Sequence, residues 1–314
     1  MTDDRHLAMG GGAEFDLIRR LLATWGDRAS GIGDDAAVIA VPPGEKLVAS
    51  TDASVEHVHF RREWMTAREV GARAATAALS DLAAMGARPL GLLLAIALPD
   101  TWLPDAEALA DGVGGAASAV GCPIVGGNVT RSSELALTIT VLGSAVAPLT
   151  RSGAREGDVI FVTGQLGGPG AALAALLGDK IPDAAHRERF VAPVARIAAG
   201  RWVAACGASA AIDISDGLLA DAAHLARASG ISLSLDADAV PRLGGVSQET
   251  AMRSGEEYEL LVAIPPHVSI DTEMFERTFG IPLTAVGVSI ARTPHPVRTH
   301  VTGTLPSGHD HLSR

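Results

Sequence analysis

Several aspartates in this chain stand where local structure gives them little reason to be. Asp34 and Asp35 follow a flexible Gly31-Ile32-Gly33 turn and precede the apolar run Ala36–Val41. Thr51-Asp52 closes an apolar segment that begins at Lys46. Ser80-Asp81 interrupts a helical stripe of alanines and leucines, and Asp213 and Ser215-Asp216 follow Ala211-Ile212. Acidic residues are poor strand formers, and adjacent like charges repel. One reading is bland: Asp with Gly makes solvated turns, and a carboxylate at the edge of a helical stripe reaches water. The other is convergence. Carboxylates gathered from four places need their repulsion neutralised, and hard oxygen donors with little His or Cys select magnesium. Magnesium held in this way usually serves a phosphate substrate. Gly126-Gly127 permits close phosphate approach, and Arg131 and Arg151 are candidates for phosphate oxygens. The run Gly164, Gly167, Gly168, Gly170 at a helix start is a weaker phosphate signal, since it is neither Gly-x-Gly-x-x-Gly nor a Walker loop. Together these residues point to phosphoryl transfer, where positioning and electrostatics supply most of the catalysis.

Other chemistries find less support. No Gly-x-Ser-x-Gly elbow is present. Cys122 and Cys206 stand far apart with no Cys/His cluster, which argues against zinc and against a disulfide framework. His57 and His59 would share one face of a strand, but two ligands do not make a zinc site; the plain alternative is hydrogen-bonded strand histidines. Glu256-Glu257 before Tyr258 reads as a solvated turn.

The elements that must position these residues follow from pattern. At 314 residues the chain is large for one core and comfortable for two domains. Hydrophobic residues make up 47% and aromatics 4%, so the core is aliphatic. A net charge of -11 excludes a basic nucleic-acid footprint and a polybasic membrane patch. Met1–Gly12 lacks an apolar signal core, and Leu90–Leu98 is too short to span a bilayer, so the expectation is a soluble cytoplasmic protein. Helical spacing predicts helices over Glu14–Trp25, Thr66–Met85, Asp105–Val120, the Ala/Leu run ending near Gly178, Ala195–Cys206, Gly217–Ala228 (with Ser215 as its cap) and Asp271–Phe279. Strands are expected at Ala36–Val41, Lys46–Thr51, Leu90–Leu98 (covered on both faces), Leu135–Leu142, Asp158–Thr163, Ala211–Ile214, Ile231–Leu235, Glu259–Ile264 and Leu283–Val288, with alternation continuing through Val55–Phe60. Pro148 marks the boundary between domains 1–148 and 149–314.

Taken in order, Gly31–Val38 (GIGDDAAV), Ser50–Phe60 (STDASVEHVHF), Ser80–Pro89 (SDLAAMGARP), Gly126–Ser132 (GGNVTRS), Arg151–Gly153, Asp213–Leu218 (DISDGL), Ser254–Leu261 (SGEEYELL) and Gly308–His311 (GHDH) resemble the thiamine-monophosphate kinase family. That family belongs to the superfamily of aminoimidazole ribonucleotide synthetase and selenophosphate synthetase. The resemblance covers nearly the whole chain. It implies a two-domain α/β protein of α+β type, whose N-terminal sheet pairs into a barrel across a homodimer, and a soluble enzyme that phosphorylates thiamine monophosphate with ATP. It implies that Asp34, Ser50, Thr51, Asp52, Asp81, Asp213 and Asp216 hold several magnesium ions, with Asp52, Asp81, Asp213 and Asp216 as the catalytic set. Gly127, Asn128, Arg151 and Ser215 fall at ATP positions, and His59, Glu256 and His309 at thiamine-substrate positions. A rival within the superfamily activates an amide or carboxylate oxygen by phosphorylation; a rival outside enzymology is a nucleotide-binding regulator. The chain departs from the family pattern at Asn128, where a magnesium-binding Asp is usual, at His57, where glycine is usual, and at Glu257, where Asp is usual. Asn128 offers a neutral oxygen in place of a carboxylate, which implies one weaker magnesium position.

Overall fold

The computed structural model describes residues 11–299. The chain divides into two compact units, one of residues up to Leu82 with Arg88–Val146, the other of Ala83–Ala87 with the residues from Ala147 onward.

The first unit is a four-stranded sheet with helices. Its elements are α1 (Ala13–Trp25), β1 (Lys46–Val55), α2 (Ala67–Ala84), β2 (Arg88–Leu98), α3 (Ala106–Ala119), β3 (Ile124–Arg131) and β4 (Ala136–Ala145). The sheet order is β1-β4-β2-β3, antiparallel except for β2 with β3. Helix α1 buries Leu17, Leu21, Leu22 and Trp25, the last donating its indole N–H to Ala110 O at 2.7 Å. A Cβ at Gly71 would lie 2.1 Å from Leu109 O, and one at Gly112 2.0 Å from Arg68 O. Glycine at both places lets α2 and α3 pack backbone to backbone.

Successive strand residues point to opposite faces. On β2, Leu92, Leu94, Ile96 and Leu98 are buried, while Leu93, Ala95 and Ala97 are half-buried. Leu47, Ala49 and Ala53 of β1 share that second face and are exposed. The unbroken apolar run of β2 is therefore fully covered on one face only, where the sequence implies two.

The second unit adds β5 (Val159–Thr163), α4 (Gly168–Leu177), α5 (Ala184–Val191), α6 (Ile197–Ala205), β6 (Ala210–Asp213), α7 (Leu218–Ser229), β7 (Ser232–Leu235), α8 (Gln248–Arg253), β8 (Leu260–Ile264), α9 (Thr272–Phe279), β9 (Leu283–Ile290) and β10 (Val297–Arg298). Its sheet order is β10-β7-β9-β5-β8-β6, antiparallel except for β10 with β7. All five residues of β8 are buried, as a central strand covered on both faces requires.

The α/β class and the long periodic elements agree with the sequence reading. Two expected strands do not form. Ala36–Val41 is irregular, with Val38 99% exposed, because the run finds no paired neighbour and periodicity alone cannot supply one. Beyond Val55 the chain turns: His57 N–H bonds to Phe60 O at 2.8 Å and His57 has φ 65°. That left-handed conformation suits glycine, the family's usual residue there. Helices α5 and α8 and strand β10 are short and weakly periodic, and the sequence reading omits them.

Candidate active site

In the first unit, β1 and α2 bring two of the expected residues together. Ser50 Oγ donates to Asp81 Oδ2. Asp81 is half-buried on α2 and reaches the sheet rather than water. Asp52 has the same strand parity as Ser50, hence the same face, and is exposed. Its cross-sheet row runs Asp52–Ile139–Leu94–Gly127. Thr51 points to the opposite face, where Thr140 Oγ1 donates to its hydroxyl at 3.0 Å. Asp34 and Asp35 lie in an exposed turn in which Asp34 Oδ1 accepts the Asp35 N–H at 2.9 Å.

Gly126–Arg131 lies in the edge strand β3. A Cβ at Gly127 would sit 1.9 Å from Leu94 O, so glycine there is dictated by the neighbouring strand; phosphate approach is not needed to explain it. Asn128 pairs with Ala95, on the face opposite Asp52 and with β4 and β2 between them. Arg131 is held by Asp100, Nε to Oδ1 at 3.0 Å, so its charge is already partnered.

His59 Nδ1 accepts the Val55 N–H at 3.1 Å, which leaves the proton of a neutral ring on Nε2. The buried Arg73 donates to His59 O at 2.9 Å and fixes the turn from behind.

In the second unit, β6 ends at the buried Asp213 and the chain runs through Ser215-Asp216 into α7. Ser215 does not cap the helix; Gly217 holds the N-cap position, with no side-chain cap bond. The capping is reversed. Asp221, 2% exposed within α7, reaches back so that its Oδ2 accepts the N–H groups of Ser215 (3.1 Å) and Asp216 (3.0 Å). Burial, then the charges of Asp213 and Asp216, push the Asp221 carboxyl up to about 8, against the pull of those two N–H groups. The sequence reading passed over Asp221. The signal was the one used for Asp81: a carboxylate on the apolar side of a helix. Among the described residues, Asp216, Asp221 and His224 form a group whose ligand atoms all lie within 4.8 Å of one another, a donor set of oxygen and imidazole suited to a divalent cation.

The loop Ser254–Tyr258 is no solvated turn. Glu257 is 2% exposed, and Ser254 and Tyr258 are buried. Glu256 N–H bonds to Ser215 O at 2.7 Å and Tyr258 N–H to Ile214 O at 2.9 Å, so the Glu256 segment lies directly against the Asp213–Asp216 loop. On its other side, Glu257 Oε1 accepts the Gly167 N–H (2.6 Å) and Ser254 Oγ the Gly170 N–H (2.9 Å). The glycine-rich start of α4 is thus occupied by the protein's own acceptors, which removes it as a phosphate cradle. Deeper still, Glu259 is fully buried and takes Arg189 (2.6 Å), Arg196 (2.5 and 2.9 Å) and Thr163 (2.7 Å). Arg151 lies in an exposed turn whose carbonyl accepts the Ser229 hydroxyl at 2.7 Å. His309 lies outside the described residues.

Residues 33–145 match the family model for the AIR synthase related protein N-terminal domain, and residues 155–293 that for the C-terminal domain. The thiamine-monophosphate kinase of Mycobacterium tuberculosis is 39% identical over 234 residues, 72% of this chain and 70% of that protein. The crystal structure of thiamine-monophosphate kinase from Stenotrophomonas maltophilia K279a superposes with a TM-score of 0.81 at 32% identity, covering 92% of this chain and 96% of that one. The structure of AaThiL complexed with AMPPCP and TMP gives a TM-score of 0.77 at 30% identity, covering 95% and 97%.

Proposed function

The chain belongs to the thiamine-monophosphate kinases of the AIR synthase related family, and from that membership we infer that it transfers the γ-phosphoryl group of ATP to thiamine monophosphate, giving thiamine diphosphate and ADP. The observation that carries this reading is likeness along both units to a structure holding an ATP analogue and TMP, in a chain whose matching segments bear the oxygen donors such a reaction needs.

An oxygen of the acceptor's own phosphate attacks the γ-phosphorus. That bond forms as the bond from the γ-phosphorus to the β,γ-bridging oxygen breaks, and ADP leaves. With a second phosphate pKa of about 6, the attacking oxygen is already largely deprotonated at neutral pH, so no general base is required. Carboxylates rich in number suit such a reaction.

The donor set fits magnesium. Ser50, Asp52 and Asp81 of the first unit and Asp213 and Asp216 of the second are the residues that would hold it, with Asp34 as a further exposed carboxylate; Thr51, its hydroxyl turned to the opposite sheet face, is the least direct of the set. When bound, magnesium neutralises triphosphate charge and lets two anions approach. The protein's own part is to hold its carboxylates ready. Ser50 orients Asp81, and Asp221 through its Oδ2 fixes the main chain of Ser215 and Asp216. His59 through Nε2 and Glu256 are the acceptor-side candidates, and Ser215 and Arg151 the ATP-side ones. The half-covered apolar face of Leu47, Leu93 and Leu142 supports a homodimer in which a second copy closes it. Among the described residues no helix is long and apolar enough to cross a membrane, and we place the reaction in the cytoplasm.

A panel of acceptors tests the assignment. ADP release in the presence of magnesium and ATP is expected with thiamine monophosphate and at background with thiamine or purine-pathway intermediates. Equal release with thiamine, or none with thiamine monophosphate, would overturn it.

A further inference from the structure

We infer that Glu257, with Ser254 beside it, is a positioning residue that sets the Glu256 segment for the phosphate acceptor and leaves ATP binding alone; this rests on the assignment of Glu256 to the acceptor.

Glu256 has φ 59° and Tyr258 φ 53°, so two of the residues in Ser254–Tyr258 are non-glycine residues in the left-handed region. Each costs on the order of 1–2 kcal/mol and persists only where the surroundings over-determine it. Main-chain bonds from Glu256 and Tyr258 to Ser215 and Ile214 fix one edge of the loop. They do not fix the other. On that edge two side chains reach the first turn of α4: Glu257 takes the Gly167 N–H and Ser254 the Gly170 N–H. The φ of 100° at Gly167 and a Cβ position 2.2 Å from Val246 Cγ1 admit only glycine there. The loop is therefore tied to the start of α4.

Glu257 is an expensive choice for a merely structural pin. Its Oε2 is buried with no hydrogen-bond partner. An unsatisfied buried oxygen costs about 1–3 kcal/mol. Burial raises the carboxyl to about 7, opposed by the Ser254 hydroxyl, the Gly167 N–H and the Arg189 charge and reinforced by Glu259. The neighbouring Glu259 has no such deficit, having Arg189, Arg196 and Thr163 on its oxygens. A residue kept at this cost beside a strained loop points to the loop's geometry as what is being maintained. Glu256 and Tyr258 are both strained and bonded to the Asp213–Asp216 segment, and of the two Glu256 is only half-buried while Tyr258 is buried.

The test separates the acceptor KM from the ATP KM in four variants. Glu257→Gln keeps an oxygen for the Gly167 N–H and is expected to hold the acceptor KM within about threefold of the parent. Glu257→Met fills the same space without an acceptor, and is expected to raise the acceptor KM by at least about tenfold while the ATP KM stays within about twofold, the signature of binding lost on one substrate only. Ser254→Ala removes one oxygen from a small side chain and is expected to raise the acceptor KM by about threefold, again without moving the ATP KM; it carries the test if the Met variant does not fold. Equal rises in both KM values, or an unchanged acceptor KM in Glu257→Met or in Ser254→Ala, would overturn the inference. Glu256→Ala is the control for the underlying assignment. If it leaves the acceptor KM unchanged, the placement of Glu256 is at fault; if it raises the acceptor KM and Glu257→Met does not, the positioning role is.

Discussion

The acidic residues of the two units solve like-charge repulsion in opposite ways. In the first unit Asp34 and Asp52 are exposed, and Asp81 is half-buried with one serine on it. Water reaches and screens the exposed charges. In the second unit Asp213, Asp221, Glu257 and Glu259 are all buried. There burial pushes the Asp221 carboxyl up to about 8 and the Glu257 carboxyl to about 7, each accepting from main-chain N–H, and two guanidinium groups meet the charge of Glu259. The difference teaches that a carboxylate's role cannot be read from its type. Exposed ones cost little in folding; among the buried ones Asp221, Glu257 and Glu259 hold the chain, while Asp213 stays in the proposed metal set.

The comparison breaks most visibly at Glu259. Glu259→Leu leaves Arg189 and Arg196 without their shared carboxylate in a buried place, and is expected to cost about 3–5 kcal/mol in denaturant unfolding. A loss under about 1 kcal/mol would remove the distinction drawn for the second unit. Asp52→Asn is the counterpart in the first unit. Activity should fall by on the order of a hundredfold, which is about 2.7 kcal/mol of barrier, with the thermal midpoint within about 2 °C of the parent. Near-normal turnover, or a large fall in midpoint, would put Asp52 in the other class.

Glu257 gives a pH test of the same contrast. Its folded pKa of about 7 lies above the unfolded value, so the folded state binds more protons between them. The stability tied to the protonated group is fully present below about pH 4.5 and is lost as pH rises through about 7. Glu257→Gln should therefore be more stable than the parent at pH 8, by on the order of 1–2 kcal/mol, with the advantage gone by pH 5. A difference independent of pH would show that the carboxyl does not titrate where its burial requires. The smallest effect is expected at Asn128. It sits on the opposite sheet face from Asp52, so Asn128→Asp should leave the magnesium concentration for half-maximal rate within about twofold, rather than the larger gain a ligand charge would give. A tenfold tightening would return Asn128 to the metal site.

Much of this was legible in the sequence. The long helices and strands follow from periodicity, because a face that must be buried repeats at the helix or strand period. Ser50, Asp81 and the Asp213–Asp216 loop stand out as polar residues in apolar settings. What was not legible depended on partners distant in sequence. Ala36–Val41 looks like a strand until a pairing neighbour is sought. His57 and His59 alternate like strand residues, but a left-handed φ turns the chain. Glu256-Glu257 looks solvated because nothing local shows that Gly167 and Ser215 wait for it. Asp221 hid in a helix, where only its backward reach to Ser215 and Asp216 gives it meaning.

Direct transfer between two phosphates is tested by following label from γ-phosphate-labelled ATP with magnesium and thiamine monophosphate. The label is expected in the terminal phosphate of thiamine diphosphate, one equivalent for each ADP formed, and the transfer is expected to stop in chelator. Label recovered as inorganic phosphate, with thiamine monophosphate unchanged, would contradict it.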